Sequence, residues 1–163
     1  MNFDDDDDFD MNDELSDEEN EELNQEMERR RRSVKNHPLF KQVNEASHTL
    51  KTLLESSNQS GEDLESFTES LTGAMMVVTA KLYAALGSDS YLVCMQNAAI
   101  IRNEAEYLRL SSHMLNFSKN YDKAYVSVFR EEMEKFRILF IEWAKQIHTM
   151  DRDGLEDEWG LFL

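Results

Sequence analysis

The chain holds 34 acidic side chains and 4 histidines, and one run matches Glu-x-x-His, a metal-ligand spacing: Glu45-Ala46-Ser47-His48. A carboxylate-bridged metal centre in a helical bundle needs Glu-x-x-His on each of two helices and one glutamate on each of two others, all facing inward. Glu104, Glu106, Glu131, Glu132 and Glu142 supply no second Glu-x-x-His. The apolar residues nearby, Leu39, Val43, Ala46 and Leu50, set the buried face of their helix and turn Glu45 and His48 outward. No resident metal and no cofactor is expected from this pattern. His37 stands where a helix opens, and His113 and His148 lie beside apolar seams. Cys94, the single cysteine, lies on such a seam and behaves as a small apolar group. No nucleophile–base pair is visible.

Outward-facing His48 has a second reading. Ser47-His48-Thr49-Leu50-Lys51 resembles the His-x-x-Lys core of histidine phosphotransfer domains, helical bundles in which an exposed histidine accepts a phosphoryl group. The resemblance implies that His48 is the phospho-acceptor and that Lys51, one turn on, offsets phosphate charge. It spans only Ser47 to Lys51. Thr52 stands where that family usually has glycine, and the motif falls on the first bundle helix. A further partial pattern lies among the N-terminal acids. Asp8, Asp10, Asn12, Glu14, Ser16 and Glu19 occupy the ligand positions of a loop that resembles an EF-hand, with Leu15 at its apolar position. Asp13 replaces the turn-making glycine, and residues 1–7 make no amphipathic entering helix. The expectation is weak divalent-cation binding centred on Asp8, Asp10, Asn12 and Glu19.

These residues are carried by four segments with apolar positions alternating at three and four. The first opens at Pro38, where proline is preorganised for a first helical turn, and runs through Leu39, Val43, Ala46, Leu50 and Leu53. The second starts near 60–62 and buries Leu64, Phe67, Leu71, Ala74 or Met75, Val78, Leu82 and Ala85. Gly87 follows it, with left-handed backbone expected. Ser90 caps the third, whose seam is Tyr91, Cys94, Ala98, Ile101, Ala105, Leu108, Ser112 and Leu115. The fourth runs from about Tyr121 to Met150 along Tyr125, Phe129, Met133, Phe136, Phe140, Trp143, Ile147 and Met150. Short connectors force antiparallel neighbours, and sustained three–four spacing favours shallow crossing angles. The fold expected is all-α: an up-down-up-down antiparallel four-helix bundle with an acidic N-terminal extension and a short acidic and aromatic C-terminal tail.

The net charge of −17 is unevenly distributed. Residues 1–32 carry −11, residues 33–150 carry −2 and residues 151–163 carry −4. The expected organisation is a disordered acidic tail at 1–20, a solvated charged helix at 21–35, the bundle at 36–150 and the acidic-aromatic tail at 151–163. Arg29 to Arg32 form the basic cluster, and Glu21, Glu22, Glu26 and Glu28 neutralise it locally, with Glu26–Arg30 and Glu28–Arg32 at the favourable spacing. Nucleic acid is therefore not an expected partner. No apolar run is long enough to cross a membrane. One cysteine and no secretory leader point to the cytoplasm.

Trp159, Leu161, Phe162 and Leu163, behind Glu156, Asp157 and Glu158, are too apolar for an idle tail. They either dock on the protein's own bundle or enter a partner's groove. The first functional expectation is thus a non-enzymatic interaction or adaptor protein that meets a partner with a basic surface or an apolar groove, with a homodimer also open. The alternatives are phosphotransfer through His48, and an enzyme or ligand-binding bundle whose site is assembled across helices.

Overall fold

A computed structural model describes residues 16–57, 62–118 and 120–152. Among the described residues there are five helices and no strand: α1 (Asp17–Asn36), α2 (Pro38–Glu55), α3 (Glu62–Leu86), α4 (Tyr91–Phe117) and α5 (Lys123–Ile147).

Helix α1 starts earlier than the charge pattern suggests, at Asp17 rather than Glu21, because Ser16 and Glu19 close a capping box. The Glu19 N–H donates to the Ser16 hydroxyl at 3.3 Å, and the Glu19 carboxylate accepts from the Ser16 N–H at 2.9 Å. That backbone bond holds the Glu19 carboxyl below its ordinary range. Almost all of α1 is exposed, and Val34 is its buried side chain. The arginine cluster is neutralised locally, with one change of partner. Arg30 pairs with Glu26 at 2.8 Å, but Glu28 takes Arg31 at 2.9 Å instead of Arg32. Arg30 also reaches Asp89, at 3.5 Å, in the turn between α3 and α4.

Gly87 sits in that turn without the left-handed backbone its position suggested. Its N–H donates to the Tyr83 carbonyl at 3.2 Å, and a Cβ there would lie 3.8 Å from the Val34 methyl. Val34 and the Arg30–Asp89 pair thus bring the last part of α1 close to this turn.

His37 breaks between α1 and α2. Its extended backbone ends one helix, and its Nδ1 accepts the Leu39 N–H at 3.2 Å to cap the next. Pro38 then occupies the first helical position, where its missing N–H costs nothing. Helix α5 opens on a similar device, with Asp122 Oδ1 accepting the Ala124 N–H at 2.8 Å.

Helices α2 to α5 pack in a closed ring, α2 against α3 and α5, and α4 against α3 and α5. Their three–four stripes meet in one core whose largest fully buried side chains include Phe129, Phe136, Leu50, Leu82 and Ile101. Burying each such side chain contributes roughly 1.5–3 kcal/mol. On α5 the seam begins at Val126 and not at Tyr125, which is 43% exposed: both lie within one turn of Phe129, and the rotation of α5 against its neighbours buries Val126. On α2 the seam also takes in Gln42, whose amide donates to the Glu132 carbonyl of α5 at 3.4 Å.

Two outcomes are expected. Burial lowers the His37 pKa below the ordinary 6.5, so the unfolded chain binds more protons in the interval beneath that value. The capping contribution is complete above about pH 6.5 and is lost as pH falls through the folded-state value. Urea unfolding of wild type should show this slope, and His37→Asn, a cap that does not titrate, should flatten it. Gly73 lies inside α3 with open space where a Cβ would stand. Gly73→Ala should therefore raise unfolding stability by about 1 kcal/mol in the same measurement.

Candidate functional site

The outer face of α2 carries His48 as expected. Glu45, His48 and Lys51 are all exposed. The Thr52 hydroxyl donates to the His48 carbonyl at 3.0 Å, so the residue after Lys51 is turned back onto its own helix. Lys51 Nζ lies 3.8 Å from Glu55, which takes up part of its charge. Lys51 also lines a groove of about 330 Å³ between α2 and α3, with Leu54, Thr68, Thr72 and Met76. His48 is not among its lining residues. Exposure leaves the imidazole open to a partner's phosphoryl group, while the local lysine is shared.

No group of three or more acidic, histidine or cysteine side chains among the described residues is placed to hold a metal ion. Of the four cation-ligand candidates, Asp8, Asp10 and Asn12 lie outside the described residues. Glu19 is engaged in the cap of α1. Trp159, Leu161, Phe162 and Leu163 also lie outside the described residues. Cys94 is buried, and its thiol donates to the carbonyls of Ala85 at 3.3 Å and Ser88 at 3.5 Å. Burial first, and then the Asp89 charge, push its pKa up, which keeps the sulfur in the unreactive thiol form. His113 and His148 are both exposed.

Two features that sequence inspection passed over emerge instead. The first is a groove of about 240 Å³ between α4 and α5, with Arg102, Arg109 and Arg137 around a floor that includes Phe136, Phe140 and Ile141. Arg109 grips Glu106 through Nε at 2.8 Å and Nη2 at 2.7 Å. Arg137 grips Glu134 the same way, at 2.9 and 2.6 Å. These hydrogen bonds lower the pKa values of Glu106 and Glu134 and raise those of their arginines. The two pairs also act on each other across the helices, Glu106 with Arg137 and Arg109 with Glu134. Fork-to-fork pairing uses two of the five N–H donors of each guanidinium and leaves three unused by the pair. Each arginine is separately unremarkable in sequence, since only the packing of α4 on α5 brings the three together.

The second feature is an apolar stripe on the solvent side of α4. Val93, Ile100, Tyr107 and Met114 recur every seven residues, and Leu110 and Phe117 follow the last two by three. All six are exposed, Met114 at 67% and Phe117 at 86%. A sevenfold recurrence opposite the buried seam was the signal available in the sequence. It is masked there because the stronger seam of Cys94, Ile101, Leu108 and Leu115 shares the same period.

No protein-family model, curated protein or solved structure matches this chain. No helix among the described residues is long and apolar enough to cross a membrane.

Proposed function

We propose that the chain is a non-enzymatic interaction protein. In this reading α2–α5 form an up-down-up-down antiparallel four-helix bundle that presents adhesive surfaces to a protein partner. The alternation is supported by two contacts between opposite helix ends: Phe40 near the start of α2 meets Tyr83 near the end of α3, and Arg152, just past α5, stacks on Tyr91, the first residue of α4.

The observation that carries the interaction reading is the exposed stripe on α4. Tyr107, Leu110, Met114 and Phe117 follow one another at steps of three and four on its exposed side, and neighbouring exposed apolar side chains of this kind mark a contact surface. The negative charge at the two ends, −11 and −4, would speed encounter with a positively charged partner and make that encounter salt-sensitive. The acidic-aromatic segment 151–163 is a second adhesive element. A basic surface or an apolar groove is the complementary chemistry, in a cytoplasmic setting.

Ile100→Glu with Met114→Glu places two charges on the stripe without touching the buried seam. Cross-linking and affinity capture should recover a discrete partner with wild type and lose it with this variant while helicity is unchanged. Equal capture by both would overturn the role of the stripe. A wild-type mass of two chains that falls to one in the variant would assign the stripe to a second copy.

A phosphotransfer reading is favoured by one observation, the exposure of His48 with Lys51 one turn away. Incubation with a phosphorylated response-regulator receiver should then label wild type and not His48→Ala. No label, or equal label on both, rejects it.

A further inference from the structure

We infer that the groove between α4 and α5 is a docking site for the chain's own segment 153–163, with Trp159 and the apolar residues after it on the Phe136–Phe140–Ile141 floor and the acids before it against the arginines. The inference needs no partner and is independent of the α4 stripe.

Charge is the first support. The groove lining carries Arg102, Arg109 and Arg137 against one carboxylate, Glu106, in a chain whose net charge is −17. With Glu134, which holds Arg137 from outside the lining, the three arginines face two carboxylates and one positive charge is left over. Arg109 and Arg137 are held in place by these pairs, so little side-chain freedom is lost when an anion binds. Arg102 acts on Glu106 through space but makes no ion pair within 4 Å among the described residues. Sequence 153–163 has the matching order of chemistry: Glu156, Asp157 and Glu158, then Trp159, Leu161, Phe162 and Leu163.

Reach is the second support. The guanidinium of Arg152 stacks on the Tyr91 ring, 4.6 Å from its centroid, so the chain leaves the described structure beside the first residue of α4. From Tyr91 the groove begins at Arg102, roughly 16 Å along the helix, and extends to Arg109, roughly 27 Å along it. An extended chain advances about 3.3 Å per residue, which carries Trp159 up to roughly 23 Å and Phe162 up to roughly 33 Å from Arg152. The apolar residues thus fall over the groove. The exposed α4 stripe is a poorer seat, because Val93, Ile100, Tyr107 and Met114 offer no cation to the three acids.

The arrangement gives the segment an internal resting place. A partner that takes residues 156–163 must displace it from three arginines, so its apparent affinity is reduced by the fraction of chains in which the segment is docked.

The test uses the full chain, isotopically labelled, with the two tryptophan indole signals distinguished by Trp159→Phe. Nuclear Overhauser contacts are expected from the Trp159 ring to the Ile141 methyls and the Phe140 ring, unchanged on dilution. Ile141→Glu, at a position already 41% exposed, should abolish them while the Trp143 indole signal stays in place. Arg102→Glu should weaken them, and added salt should do the same. Trp159 contacts that are absent, that survive Ile141→Glu, or that point to the α4 stripe would overturn the inference. So would contacts that arise only between differently labelled chains, or groove contacts made instead by Phe3 and Phe9.

Discussion

Removal of four apolar stripes from water at the same time is the constraint on which this structure rests. Each of α2–α5 carries buried residues at alternating steps of three and four, too many to leave in solvent and confined to one side of its helix. A stripe of that shape is satisfied only by another stripe of the same pitch lying nearly alongside it. Closing the ring, with α2 against both α3 and α5, leaves each seam covered from two sides. The aromatic residues of α5 supply the bulk of that cover: Phe129 and Phe136 are fully buried, and Phe140 bridges Phe136 to Trp143 at centroid distances of 6.2 and 5.5 Å.

Helix ends are managed locally and cheaply. His37, Ser90 and Asp122 each accept a backbone N–H of the helix they open, and Ser16 does so with a reciprocal glutamate. These caps let very short connectors reverse or bend the chain without stranding donors. They also explain how α1, with almost no buried surface, persists as a helix: its N-terminus is boxed, its surface is laced by Glu26–Arg30 and Glu28–Arg31, and its far end is held by Val34 and by Arg30 on Asp89. Such exposed pairs are each worth only a fraction of a kcal/mol, so α1 owes most of its placement to Val34.

Surface chemistry divides by helix. The outer face of α2 is polar, with His48 and Lys51. The solvent side of α4 is apolar, and the boundary of α4 with α5 is cationic over an aromatic floor. The interaction reading and the internal docking of segment 153–163 draw on two of these surfaces, and neither requires a catalytic group.

Sequence alone determined the number, order and approximate extent of the long helices, because a period of 3.6 with bracketing caps is a local property. Leu39 to Leu53 and Leu71 to Ala85 could be placed on buried faces from spacing, as could Cys94 and Ile101. The outward turn of Glu45 and His48 followed from their neighbours. Spacing could not separate Tyr125 from Val126, because both flank the seam and only the rotation of α5 against α2 and α4 buries one of them. It could not anticipate that Glu28 would choose Arg31, that Gly87 would meet Val34, or that Arg102, Arg109 and Arg137 would share a groove. Those are relations between residues far apart along the chain or between competing rotamers, and they exist only once the helices have docked. Tertiary structure decided which leftover faces became surfaces with a chemistry, since it is packing, and not composition, that determines what a helix has left to show.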